Sequence, residues 1–156
     1  MNITEITSTK TQAAVKLRLA PYCRVSSDSA DQLHSFATQI RYYSDYAKKH
    51  PEYQLVDIYA DEGITGTEMK KRDELKRLIA DCKRGKVDRI IVKSVSRMAR
   101  NTEELLVMIR MFKDIGVSVY FEEQGIDTEK LNMEMIVTFP GMAAQQESVN
   151  ISGNLR

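Results

Sequence analysis

Four times along this chain a short apolar run gives way to a stretch whose apolar residues return at three- and four-residue steps. Few folds accept that order. A strand followed by an amphipathic helix has to cross over to a parallel neighbour, so the expectation is an α/β fold. Its core would be a mostly parallel central sheet of four to five strands flanked by helices. The strands are read at 21–27 (with alternation starting upstream at Val15), 55–60, 88–93 and 117–121. The first helix can be capped by Asp28 or Ser29, carries Leu33, Phe36, Ile40, Tyr43 and Ala47, and stops at His50-Pro51. The second starts near Arg72, places Leu75, Leu78, Ile79 and Cys82 on one face, and ends with Lys83, Arg84 and Gly85. Asn101 and Glu104 form a capping pair for the third, which buries Leu105, Ile109 and Phe112 and ends at Gly116. A Met- and Ala-rich helix follows from about Lys130, carrying Leu131, Met135, Ile136, Phe139, Met142 and Ala143. Pro140-Gly141 should kink or break it.

The chemistry concentrates where strands end. In Tyr22-Cys23-Arg24-Val25-Ser26, alternation puts Tyr22, Arg24 and Ser26 on one face and Cys23 and Val25 on the other. A hydroxyl at the C-terminal end of a strand, two residues past a guanidinium, lies where ligands bind in open α/β sheets. Serine beside arginine suits attack on a phosphate ester, because arginine matches phosphate oxygens bidentately and keeps its charge. The second strand brings Asp61 and Thr65 to the same edge, with Arg72 behind them. The third brings Ser94, Ser96, Arg97 and Arg100. Guanidinium groups converging on one serine are costly unless an anion fills the gap.

Totals exclude several classes. The 156 residues carry 23 basic and 22 acidic side chains, a net charge of +1, so any nucleic-acid contact must come from a local cluster or from outside this chain. Cys23 and Cys82 lack metal-ligand spacing and read as packing thiols in a reducing cytoplasm. Neither a membrane-length apolar run nor a secretory h-region is present. Gly63 and Gly66, without a following Gly-Lys-Ser/Thr, do not make a nucleotide P-loop. His34 and His50 sit on or at the end of a helix, so no histidine is placed to act as a base.

Tyr22-Cys23-Arg24-Val25-Ser26, Gln39, Asp61-Glu62-Gly63-Ile64-Thr65-Gly66, Arg72 and Lys93-Ser94-Val95-Ser96-Arg97-Met98-Ala99-Arg100-Asn101 together resemble the catalytic domain of a serine recombinase. The likeness is closest to the large serine integrase and transposon-recombinase branch, and it covers residues 17–156. It implies conservative site-specific DNA recombination. Ser26 attacks a phosphodiester, releases a 3′-hydroxyl and holds the 5′-phosphate as phosphoserine, and the ends are exchanged and rejoined. The catalytic set implied is Ser26, Arg24, Arg97, Arg100, Arg72, Gln39 and Asp61, with Tyr22, Arg24, Arg72, Arg97 and Arg100 against DNA phosphate. No metal and no cofactor is implied. The partners would be double-stranded DNA at attachment or crossover sites and further copies of the chain, a dimer that becomes a tetramer when active on DNA. A membrane partner is not implied; the setting would be the cytoplasm of a bacterium, the protein being bacterial or phage-encoded.

The resemblance divides the chain into an N-terminal arm at 1–14, a catalytic core at 15–130 and a C-terminal oligomerisation helix at 131–156. The last ends without a stop signal, as though cut before DNA-binding domains. Two departures stand out. Ser96 occupies the place where the resolvase branch has aspartate, and Phe139-Pro140-Gly141 interrupts the final helix. The competing expectation is a non-catalytic oligomerisation or regulatory module of the same fold.

Overall fold

The structure, a computed structural model, describes residues 15–26, 36–63 and 72–138. Strand β1 (Leu17–Ser26) is the spine of the sheet. After it come α1 (Phe36–Lys49), β2 (Tyr53–Leu55), β3 (Tyr59–Gly63), α2 (Asp73–Lys83) and β4 (Arg89–Val92). Then follow a single-turn α3 (Val95–Met98), α4 (Thr102–Asp114), β5 (Ser118–Phe121), β6 (Ile126–Asp127), a 3-10 turn (Thr128–Lys130) and α5 (Met133–Val137). The sheet runs β2-β1-β4-β5-β6, with β3 also paired to β1, and every pairing is parallel except β5 with β6. It is therefore the mostly parallel α/β sheet expected, with six strands where four to five were read.

The extra strands have a physical origin. The run read as one strand at 55–60 is broken at Val56, Asp57 and Ile58, which lie opposite only Ala20 and Pro21 of β1. Leu19 C=O accepts from Val56 N–H at 2.9 Å, while Arg18 C=O accepts from Asp88 N–H at 2.9 Å. Odd-numbered residues of β1 thus address the β2–β3 edge and even-numbered ones address β4. Pro21 is odd. Its missing N–H falls opposite the break, where a proline inside a sheet is tolerated because a bulge leaves no ladder bond to make. The short β6 returns antiparallel along β5 and closes the far edge.

Both faces of the sheet are covered. Ala20, Tyr22, Ile90 and Val92 pack against Leu75, Leu78 and Cys82 of α2 and Leu105, Ile109 and Phe112 of α4. On the opposite face Leu19, Cys23, Val25 and Ile91 meet Tyr43 of α1. All four residues of β4 are buried, as a central parallel strand requires. The middle of β1, from Leu19 to Cys23, is buried likewise, on the face carrying Tyr22 as on the face carrying Cys23. Fully burying a side chain such as Phe112 is worth about 1.5–3 kcal/mol. Three buried tyrosines keep their hydroxyls satisfied by carboxylates: Tyr22 on Asp61 at 2.7 Å, Tyr43 on Glu122 at 2.9 Å and Tyr59 on Asp81 at 2.7 Å.

Local signals hold where they were explicit. Asn101 Oδ1 accepts from Glu104 N–H at 2.8 Å and opens α4. Gly116, at φ +80°, closes it, with Gly116 N–H on Lys113 C=O at 3.1 Å and Val117 N–H on Phe112 C=O at 2.8 Å. The helix expected from about Lys130 starts later, at Met133, because Asn132 Oδ1 caps it through Met135 N–H at 2.8 Å. Leu131 precedes that helix and is buried, while Met135, placed on the apolar face, is 41% exposed. The arm at 1–14, the Asp28 and Ser29 caps, Thr65 and the helix positions Phe139, Pro140, Met142 and Ala143 lie outside the described residues.

Candidate active site

Parallel strands bring β1, β3 and β4 to one C-terminal edge. There Ser26 closes β1 in register with Gly63, Arg24 is in register with Asp61, and Tyr22 is in register with Val92. The Ser26 backbone stands at the place the sequence suggests, and its side chain lies outside the description.

Beside that strand end a narrow cleft is lined by Tyr22, Cys23 and Arg24 of β1, Gln39 and Tyr43 of α1, Lys93 and Arg97. Lys93 is the first residue after β4, and Arg97 sits on α3, the short turn that begins at Val95. The cleft has about 10 Å³ of free room, roughly what one water needs, so a phosphate must sit at its mouth or widen it. It adjoins a larger cavity of about 330 Å³ lined by Thr38, Gln39, Tyr42, Tyr43, Lys93, Glu122 and Glu123. Tyr42 and Tyr43 hydroxyls both donate to the Glu122 carboxylate, at 2.6 and 2.9 Å, which ties α1 to the end of β5.

The charges sort by their partners. Arg18 forks onto Asp88, Arg77 bridges Glu74 and Asp57, and Arg89 forks onto Asp127. Among the described residues no carboxylate pairs with Lys93 or Arg97. The cleft is therefore positive on that side. Burial pushes the neighbouring Cys23 thiol up to about 12, helped by Glu122 and opposed by Arg97, so this sulfur stays protonated and inert.

Asp61 and Arg72 fall elsewhere. Asp61 is buried, and its carboxylate accepts the Tyr22 hydroxyl, Glu74 N–H at 2.8 Å and Leu75 N–H at 3.1 Å. It caps α2 from a neighbouring strand, and the residue at the cap position, Arg72, supplies no side-chain cap bond. Burial raises the Tyr22 hydroxyl above the usual tyrosine range, and the hydrogen bond to Asp61 adds to that while Arg72 opposes it. Arg72 is itself buried. Its Nη1 donates to Glu104 Oε1 at 2.6 Å, its Nη2 donates to Met98 C=O, and its Nε has no partner among the described residues. Glu104 Oε1 also accepts Arg100 N–H at 3.0 Å. Burial opposes ionisation of Glu104, but the Arg100 N–H and the Arg72 guanidinium outweigh it and hold this carboxyl below its usual range.

The structure thus gathers Arg24, Arg97 and Gln39 at one cleft. It places Arg72 in a separate buried cluster with Glu104, and leaves the Arg100 side chain exposed at the turn between α3 and α4. Ser94, which the end of β4 also brings to this edge, is buried and lies 3.1 Å from the Ser96 hydroxyl. Lys93 and Glu104 escaped notice as site residues. Lys93 was findable as the first polar residue past the apolar run Ile90-Ile91-Val92, whereas Glu104 looked only like a helix cap. Among the described residues no three His, Cys, Asp or Glu side chains gather as metal ligands, and no helix is long and apolar enough to cross a membrane.

Comparison with known proteins places the chain's family and fold. Residues 19–156 match the family model described as Resolvase, N terminal domain. A resolvase/recombinase of Pseudomonas putida is 30% identical over 135 residues, which span 86% of this chain and 67% of that protein. The Transposon Tn3 resolvase of Escherichia coli is 29% identical over 131 residues, 84% of this chain and 64% of its own length. The chain therefore spans about two thirds of these relatives. Among solved structures, a resolvase family site-specific recombinase from Streptococcus pneumoniae superposes with a TM-score of 0.65 at 29% identity, covering 88% of this chain and 93% of that one. The N-terminal catalytic domain of TP901-1 integrase shares the fold, with a TM-score of 0.61 at 23% identity over 88% of this chain and 96% of that one.

Proposed function

This chain belongs to the resolvase family and carries its N-terminal, serine recombinase catalytic domain, and on that premise we propose that it cleaves and rejoins DNA at specific sites through Ser26. The observation that carries the proposal is the cleft at the end of β1. There Arg24 and Arg97, from separate elements, stand with Lys93 beside the strand that Ser26 terminates.

The chemistry is a transesterification. The Ser26 Oγ–P bond forms as the P–O3′ bond breaks; the hydroxyl gives up its proton and the departing 3′ oxygen takes one up. One phosphodiester replaces another, so the bond energy is retained for rejoining and the reverse attack by the 3′-hydroxyl regenerates serine. A serine hydroxyl is a weak nucleophile and the diester is anionic, so the site has to neutralise the non-bridging oxygens as charge builds. Arg24 and Arg97 supply fixed charge that cannot be lost by deprotonation, and Lys93 adds a point charge at the mouth. Arg100 is assigned to the phosphate or the leaving oxygen, and Gln39 to orientation at the cleft. Tyr22 and Asp61 serve the site by fixing the strand and helix that frame it, and Arg72 joins through the Glu104 cluster. Double-stranded DNA and further copies of the chain are the proposed partners. The net charge of +1 favours weak binding by this domain alone.

The test is a covalent adduct. The chain is fused to a sequence-specific DNA-binding domain and incubated with a nicked duplex bearing that domain's site. Products are run on a denaturing gel. An adduct in wild type and Ser27→Ala, absent from Ser26→Ala, is expected, and Arg97→Ala should slow it by about 10²–10³. An adduct that survives Ser26→Ala refutes the assignment. Oligomerisation without any adduct favours a non-catalytic module.

A further inference from the structure

A buried arginine with two protein acceptors and an idle Nε is an odd phosphate clamp. Arg72 Nη1 and Nη2 are both spent, on Glu104 and on Met98 C=O, and the side chain is 10% exposed. One carboxylate oxygen, Glu104 Oε1, receives both Arg72 Nη1 and the backbone N–H of Arg100. The same residue's own N–H is held by Asn101 Oδ1, which anchors it to the first turn of α4. Glu104 therefore sits between the segment entering α2 and the turn that presents Arg97 and Arg100, and it touches both.

We propose that Glu104 is a positioning residue for strand cleavage, setting the Arg97–Arg100 turn against the serine edge through Arg72. The proposal rests on Ser26 acting as the nucleophile. Its logic is electrostatic and steric at once. Arg72 cannot stay buried without a counter-charge, and Glu104 supplies it while adding a second tie between the segments to the direct Arg72 Nη2–Met98 C=O bond. An arginine turn displaced by about 1 Å is enough to cost on the order of 100-fold in rate. The carboxyl is held below its usual range, so the tie persists at neutral pH.

The experiment measures adduct formation by the same fused protein under single-turnover conditions, across a range of DNA concentrations. Glu104→Ala is expected to lower the saturating rate about 10- to 100-fold while leaving the half-saturating DNA concentration unchanged. Glu104→Gln keeps an acceptor oxygen for both donors and is expected to restore most of the rate. In an Arg72→Ala background, Glu104→Ala should cost clearly less than in the parent protein, because only its bond to the Arg100 N–H is left to lose. Rates are compared at a temperature where circular dichroism shows each variant fully folded. A wild-type saturating rate in folded Glu104→Ala overturns the proposal, as do strictly additive losses. A faster rate overturns it too, because Glu104 would then be a latch holding Arg72 away from the reaction. Loss of the Ser26 dependence in the parent protein would instead sink the nucleophile assignment.

Discussion

Replacing Asp61 by alanine should expose how much of the serine edge depends on one buried carboxylate. Three donors converge on it: the Tyr22 hydroxyl at 2.7 Å, Glu74 N–H at 2.8 Å and Leu75 N–H at 3.1 Å. Loss of a helix N-cap costs about 1 kcal/mol, within a range of about 0.5–2. A hydrogen bond to a charged group contributes about 1.5–3 kcal/mol, and the Tyr22 hydroxyl would be stranded in a site where that tyrosine is 1% exposed. The sum, allowing for overlap, is about 3–4 kcal/mol. That is a large share of the roughly 5–15 kcal/mol that holds a domain folded. It corresponds to a fall of roughly 6–15 °C in Tm for a chain of this size. Urea unfolding followed by circular dichroism is the assay. Tyr22→Phe alone should cost about 1.5 kcal/mol, since Asp61 keeps both backbone donors. The double variant should fall short of the sum of the two by about 1–2 kcal/mol. A loss under about 1 kcal/mol for Asp61→Ala, or strict additivity with Tyr22→Phe, would refute the view that this carboxylate caps α2 and anchors β1.

Two further outcomes follow from the charges and thiols. Asp88 is held below the usual carboxylate range by its hydrogen bond to Arg18; Asp127 and Glu104 are held there too, by arginine and backbone donors that outweigh the opposing effect of burial. Their folded forms thus resist protonation more than the unfolded chain does. Stability is full above about pH 4 and drains as pH falls through the folded values. The urea midpoint should be flat from pH 7 to 5 and drop toward pH 3, and a midpoint that holds or rises toward pH 3 contradicts the sign. Burial pushes the Cys23 and Cys82 thiols each up to about 12. A chromogenic disulfide reagent at pH 8 should therefore label neither cysteine in the native protein and both in denaturant, and rapid native labelling would contradict this.

The family membership, the parallel sheet and the serine edge were legible from the residues because their signals are local. A capping pair such as Asn101 and Glu104, a C-terminal Gly116 or the apolar run of β4 acts within a few residues of itself, so its meaning survives without neighbours. Pro21 is local as well, yet the break it faces between β2 and β3 goes unseen in the sequence, where 55–60 reads as one strand. Pairings across the chain are not written in any short stretch. From the sequence Arg72 reads as a group for a phosphate and Asp61 as one that orients the serine, since each stands near a strand end rich in charge. Folding spends one on the first turn of α2 and the other on Glu104, because a buried carboxylate must find donors and a buried guanidinium must find a counter-charge. Lys93 and Arg97 find no carboxylate among the described residues, and no inspection of the linear chain separates them from Arg18, Arg77 and Arg89, which do. Residue order set the edge at which chemistry can occur. Burial in three dimensions chose which of the charges there are tied up inside the fold and which line the cleft.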